Sequence, residues 1–195
     1  MDNLDFINNY LDSSISVKTK ILASDSIKST ISLVAERIIC CFKSGGKVVL
    51  AGNGGSAADA QHIAAEFVSR FLFDRPGLPS IALTTDTSML TAIGNDYGFE
   101  SLFSRQVQAQ CQNGDVFIGI STSGESKNII NAVEEAKRIG VTTVGLCGSS
   151  GVLNDSCDYT IGVPSDCTSY IQESHICIGH MICAIVEKVL FTKAE

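Results

Sequence analysis

His62 and Glu66 stand four residues apart in the segment DAQHIAAEF, so on a helix they share one face. An imidazole and a carboxylate placed this way can move a proton between neighbouring atoms of a substrate, or supply two ligands to a metal ion. A solvated polar face would show the same spacing. A second polar group lies in SYIQESHICIGHMICAIVEKVL, where Gln172, Glu173, His175 and His180 interrupt a run rich in Ile, Cys, Met and Val. Polar groups in such a helix are costly to bury without partners. Gln172 and His180 are offset by only about 80° at 3.6 residues per turn, so both can face one site. His175 reads as a core histidine with its hydrogen bonds satisfied.

Two glycine-containing loops accompany these groups. The first, AGNGGSA from residue 51, follows the apolar run KVVL and opens the His62–Glu66 segment. Gly52, Gly54 and Ala57 satisfy the G-x-G-x-x-A form of a dinucleotide fingerprint, but such a site also needs an acid roughly 20 positions on to hold a ribose. Asp74 has that spacing but lies in the loop FDRPGLP, and Asp86 is too far along, so no nucleotide cofactor is expected. The second loop, STSGES, sets Ser121, Thr122, Ser123 and Ser126 around Gly124, between DVFIGI and SKNIINAVEEAKRIG. Hydroxyls and free backbone N–H groups at the positive end of a helix dipole make a phosphate cradle without lysine. No G-K-[ST] follows, which removes the case for a nucleoside-triphosphate loop. A capped turn uses the same residue types, but two such loops at neighbouring strand ends would open onto one crevice.

These groups need a scaffold that gathers strand ends. Residues 4 to 22 and 26 to 43 read as two helices, the second carrying the stripe Ile27, Ile31, Val34, Ile38 and Phe42 and ending at the glycines 45 and 46. The first has Leu4, Ile7, Leu11 and Ile15 at similar spacing with no partner in the next layer, which suits packing on another subunit. From residue 47, apolar runs alternate with helical stretches: KVVLA, a helix to about 72, SIALTT at 80 to 85, two short helical pieces, then DVFIGI at 115 to 120. A helix at 126 to 139, VTTVGL at 141 to 146, YTIGV at 159 to 163 and a long helix from about 168 complete the chain. Continuous apolar strands separated by helices predict an α/β fold, a three-layer doubly wound and mainly parallel five-stranded sheet with an N-terminal helical pair. Its ligands belong beyond the carboxyl ends of the strands. With 195 residues and no linker, the chain reads as a single domain, residues 1–45 packing and oligomerising and 46–195 forming the core.

A formal charge of -7 without clustered Lys or Arg argues against a nucleic-acid partner. The N-terminus MDNLDFINNY lacks a basic-then-apolar signal, and no uninterrupted apolar run approaches the roughly 18 residues of a membrane span. A cytoplasmic protein with its eight cysteines reduced is expected. None of them forms a C-x-x-C pair, and Cys40, Cys177 and Cys183 lie on apolar helical faces, which favours core packing over redox or metal chemistry.

GNGGS with its downstream His-x-x-x-Glu, GND at 94 to 96, the STSG-x-S loop and IQE-x-H-x-x-x-x-H together resemble the phosphoheptose isomerases of the sugar-isomerase (SIS) domain family. The Ser/Thr loop alone would indicate only the SIS superfamily. The resemblance implies isomerisation of D-sedoheptulose 7-phosphate to D-glycero-D-manno-heptose 7-phosphate, the entry to the activated heptoses of lipopolysaccharide or capsule. It implies that Asn53, Gly54, Gly55, Ser56, Asn95 and Asp96 contact the sugar, with Glu66 and Gln172, and that Ser121, Thr122, Ser123 and Ser126 hold its phosphate. Glu66 is then the base and His180 its acid–base partner. His62, Glu66, Gln172 and His180 correspond to a zinc site, one ion per subunit, and the assembly is a homotetramer with interfacial active sites. Where relatives often carry an acid just before IQE, this chain has Ser169 and Tyr170, with Asp166 further off. Arg70, one turn beyond Glu66, is open to pairing with it, to reaching substrate, or to a surface ion pair. Related SIS proteins without the activity bind a replication-initiator partner, and others isomerise different sugar phosphates, so both remain alternatives.

Overall fold

The structure, a computed structural model, describes residues 2–191. Five strands, β1 (Val48–Gly52), β2 (Ser80–Ala82), β3 (Val116–Ser121), β4 (Thr142–Cys147) and β5 (Tyr159–Gly162), form one sheet in the order β2-β1-β3-β4-β5. Every neighbouring pair is parallel. β1 and β3 are buried along their whole length, as a sheet covered on both faces requires.

The alternation of side chains along β1 divides the core in two. Val48 and Leu50 face a layer made by α1 (Asn3–Ala23), α2 (Asp25–Lys43), α3 (Gly55–Val68) and α8 (Thr168–Phe191). Val49 and Ala51 face α4 (Thr87–Tyr97), α5 (Ser104–Gln110), α6 (Lys127–Arg138) and α7 (Leu153–Ser156). This is the three-layer doubly wound arrangement predicted from the alternating runs. In α2, Ile31, Val34 and Ile38 are buried while Ile27 and Phe42 pack at the margin of the core.

The largest departures come where tertiary contacts override local pattern. α3 stops at Val68 rather than near 72, because Arg75 folds back onto the carbonyls of its last turn. β2 keeps only the first half of SIALTT: Leu83 still donates to the Leu50 carbonyl at 2.9 Å, but the Thr85 hydroxyl turns back onto Ala82. The short α7 has no counterpart in the sequence reading. Cys183 is buried, but Cys40 and Cys177 are exposed, a correction to their assignment as core. All eight cysteines are free thiols.

α8 is long and apolar enough to cross a membrane by length and composition alone. Its apolar side instead packs in the core through Ile171, Ile178, Ile182 and Val186, each worth about 1.5–3 kcal/mol when fully buried. α1 is the opposite case: it buries only Ser14, Val17 and Ile21 and leaves Leu4, Ile7, Leu11 and Ile15 at least 49% exposed.

Candidate active site

β1 and β3 are neighbours in space but not in sequence, so the chain leaves their carboxyl ends toward opposite faces and a crevice opens between the loops. Both glycine loops lie there. Gly54 takes φ +55° and ψ -121°, a backbone conformation that L side chains rarely adopt, and so turns the chain from β1 into α3. The loops are tied together by a reciprocal amide pair: Asn53 Nδ2 donates to Asn128 Oδ1 and Asn128 Nδ2 to Asn53 Oδ1, each at 2.9 Å. Asn128, in the first turn of α6, is 2% exposed.

In STSGES the hydroxyls bond one another rather than the helix behind them. Ser121 Oγ donates to Ser126 Oγ at 2.9 Å, and Ser126, the N-cap of α6, makes no side-chain cap bond. Gly124 sits at φ +68°, its N–H donating to the Ser121 carbonyl, and a side chain there would strike the Ser150 carbonyl. Gly148 N–H donates to the Thr122 carbonyl at 3.1 Å, so the β4 end braces the loop. The result is a rigid cup of hydroxyls at a helix N-terminus, suited to an anion.

The second part of the site is the contact between α3 and α8, which run in parallel. Gln172 packs its amide on Gly55 at the head of α3, and Gly179 meets Ile63 further along. Phe71, just past the end of α3, donates its amide to Glu187 at 2.9 Å. Gly179 permits the close approach: a Cβ there would lie 2.6 Å from Ile63 Cδ1. Beside that contact, His62 Nε2 lies 2.9 Å from His180 Nε2 and 3.2 Å from Glu66 Oε1. Ligand atoms of all three residues fall within 4.8 Å of one another, and the ring of Phe71 covers His180 with centroids 5.4 Å apart. His62 is exposed, while Glu66 and His180 are half-buried, so the cluster opens to solvent.

The structure therefore brings His62, Glu66 and His180 together and sets Gln172 at the loop end of the same helix pair. Ser56 is buried inside the β1–α3 turn, its N–H donating to the Asn53 carbonyl. Asn95 and Asp96 are exposed on α4, where the Asn95 amide donates to Asp96 at 2.7 Å; among the described residues no hydrogen bond joins them to either loop. Arg70 is exposed and makes no ion pair with Glu66 among the described residues. His175 is fully buried and its Nε2 lies 3.2 Å from the Cys147 carbonyl, but its Nδ1 has no protein partner, so it is a core histidine only half satisfied. Burial drives its pKa down to about 4 against the raising effect of that carbonyl.

Sequence reasoning missed Arg75, Glu187, Phe71 and Asn128. Burial pushes the Glu187 carboxyl upward, but the Phe71 and Leu72 amides and Arg75 outweigh it and hold it below its ordinary value. An arginine among loop residues and one acid in the apolar run AIVEKVL were the available signals.

The sequence matches the SIS domain family over residues 9–148. It is 60% identical over 195 residues to phosphoheptose isomerase 2 of Campylobacter jejuni, covering 99% of this chain and 97% of that protein. It is 61% identical over 188 residues to the phosphoheptose isomerase of Aneurinibacillus thermoaerophilus, covering 96% and 95%. The chain belongs to the phosphoheptose isomerase family of SIS-domain proteins. A solved phosphoheptose isomerase from Francisella tularensis superposes on it with a TM-score of 0.92 at 40% identity, over 96% of this chain and 100% of that one. The phosphoheptose isomerase structure from Neisseria gonorrhoeae gives 0.87, again at 40% identity, 96% and 100% coverage. As a member of this family the protein is a sugar-phosphate isomerase.

Proposed function

We propose that the protein, in the cytoplasm, interconverts D-sedoheptulose 7-phosphate and D-glycero-D-manno-heptose 7-phosphate by proton transfer through an enediol, the entry step toward the activated heptoses of lipopolysaccharide or capsule. The observation that carries this reading is the meeting of His62, Glu66 and His180 on the α3–α8 contact, on the same helix that begins at the crevice of the serine loop. Gly55 and His62 are separated by about 10 Å along α3 at 1.5 Å per residue, on the order of the reach of an extended sugar phosphate.

The roles follow from the groups available. Ser121, Thr122, Ser123, Ser126 and the α6 N-terminus grip the phosphate, and this remote binding holds C1 and C2 against the proton-transfer groups. Glu66 takes the proton from C1 of the ketose while His180 gives one to O2, forming the enediol. Glu66 then returns its proton to C2 as His180 recovers one from O1, leaving the aldose with every proton accounted for. Asn53, Gly54 and Gly55 line the crevice with backbone groups, and the Asn53 amide retains one N–H beyond its bond to Asn128. Gln172 orients the sugar from the head of α3.

The same donor set fits zinc. Two nitrogens on a tetrahedral zinc stand about 3.3 Å apart at ordinary Zn–N lengths, so the His62 and His180 pair need open by only about 0.4 Å. The three gathered side chains, His62, His180 and one Glu66 oxygen, would hold it, with the second Glu66 oxygen left for the proton, whereas the Gln172 amide packs on Gly55 and would have to swing along the helix pair to become a fourth ligand. Such an ion would polarise the carbonyl and hydroxyl of the reacting carbons.

A homotetramer with interfacial sites accords with the bare face of α1. It also accords with an apolar groove lined by Ile21, Leu22, Ile31, Ile178, Met181 and Ile185. Asn95 and Asp96, which among the described residues hydrogen-bond to neither loop, would then meet sugar bound at a neighbouring protomer's site. The test is direct: purified protein incubated with sedoheptulose 7-phosphate, with and without added zinc, should form the aldose. No turnover of any ketose phosphate, together with a stable protein partner, would instead favour a binding module.

A further inference from the structure

A buried ion pair lies two turns along α8 from His180. Arg75 Nε donates to Glu187 Oε1 at 3.0 Å, and the two side chains are 2% and 1% exposed. Neither group serves phosphate binding or proton transfer directly, yet together they satisfy several backbone groups where α3 ends and the following turn begins. The Arg75 guanidinium donates to the carbonyls of Glu66 at 2.7 Å and Phe67 at 2.6 Å, and further to Ser69 and Pro76. The Glu66 and Phe67 carbonyls belong to the last turn of α3, which a helix C-terminus leaves without intrahelical donors. Glu187 in turn accepts from the amides of Phe71 at 2.9 Å and Leu72 at 2.6 Å. Phe71 is the residue whose ring lies on His180.

We infer that Arg75 and Glu187 are positioning residues for the isomerase reaction: they lock the turn after α3 onto α8, so that the Phe71 ring fixes the His180 imidazole while Arg75 holds the Glu66 backbone. The inference rests on the assignment of Glu66 and His180 to proton transfer. A pair that served only to cap α3 would need no contact beyond the helix carbonyls. The Glu187 bonds to the Phe71 and Leu72 amides instead order the turn that carries Phe71, whose ring lies on the imidazole. The phosphate grip is at the opposite end of the crevice, so loosening this turn should leave substrate affinity alone and disturb the chemical step.

The test is steady-state kinetics on sedoheptulose 7-phosphate with Glu187→Gln, Phe71→Leu and the double variant, each checked as folded by circular dichroism. Misplacing a reacting group by a fraction of an ångström to 1 Å lowers kcat by about tenfold to a hundredfold, and KM should stay within about twofold of wild type. Because Glu187 acts through Phe71, the double variant should turn over no more slowly than Glu187→Gln alone, within about threefold. A folded Glu187→Gln with wild-type kcat overturns the inference, as does a double variant whose losses multiply. Should Glu187→Gln not fold, Phe71→Leu decides alone, since it leaves the ion pair intact and an unchanged kcat there overturns the inference. Glu66→Gln in the same series separates the two levels: full turnover by it removes the proton-transfer assignment, whereas its loss beside an unaffected Glu187→Gln removes only the positioning role.

Discussion

Replacing Gly179 with alanine should damage catalysis more than stability. The added Cβ would lie 2.6 Å from Ile63 Cδ1 and 2.8 Å from Ile63 Cγ1, short of ordinary contact at 3.4 Å by about 0.8 Å and about 0.6 Å. Ile63 is 2% exposed, β-branched and packed in the core, so it has little room to yield and the helices must part instead. Overpacking of this kind costs about 1–3 kcal/mol, and exchanging glycine for alanine inside a helix returns about 1 kcal/mol. The net loss is therefore about 0–2 kcal/mol, measurable in urea unfolding and too small to unfold the protein. Separating α3 from α8 by about 0.8 Å would move His180 away from His62 and Glu66, and a misplacement on the order of 1 Å lowers kcat about a hundredfold. The assay is kcat at saturating sugar phosphate beside the urea midpoint. Ile63→Val, which removes the nearer carbon, should recover part of the lost kcat when combined with Gly179→Ala. Wild-type kcat in Gly179→Ala would refute the argument that this helix contact sets the geometry of the cluster.

Three further outcomes follow from the same structure. Ser126→Ala should raise KM by about tenfold with kcat nearly unchanged if, as proposed, its hydroxyl holds the phosphate equally before and during reaction; a lowered kcat with normal KM would contradict that role. His175 has a folded pKa of about 4 against 6.5, so the unfolded chain binds more protons between those values, and stability should fall by about 3 kcal/mol as pH drops from 6.5 toward 4. Urea midpoints across that range check it, and His175→Leu should flatten this part of the profile. Chelation should lower turnover, restored by zinc in a stoichiometry of one per protomer; retention of full activity after verified metal removal would restrict the cluster to acid–base chemistry.

The layered fold was legible because its strands are uniform apolar runs and its helices carry a clear period, as in Ile31, Val34 and Ile38. The two loops were legible because glycine and hydroxyl residues cluster at strand ends for reasons of backbone geometry and helix dipole. His62 and Glu66 could be paired from spacing alone, since four residues on a helix define a face. His180 could not be joined to them by any local rule: that meeting depends on Gly179 and Ile63, whose contact is invisible without the packing of α3 on α8. The same limit hid Arg75 and Glu187, 112 residues apart, and left Arg70 open between pairing with Glu66, reaching substrate and a surface ion pair. Arg75 reaches the Glu66 carbonyl from the loop beyond the helix. Sequence patterning likewise assigned Cys40 and Cys177 to the core, because an apolar face leaves open which part of it another element covers.

The central claim, that Glu66 carries a proton between adjacent carbons of a phosphorylated ketose, is tested most directly by running the reaction in deuterated water and following the sugar by NMR. Wild-type protein should convert sedoheptulose 7-phosphate to the aldose with solvent deuterium appearing at C2, and Glu66→Gln should bind the phosphate but neither convert the sugar nor exchange the C1 hydrogen. Exchange and conversion at the wild-type rate by Glu66→Gln would contradict the account.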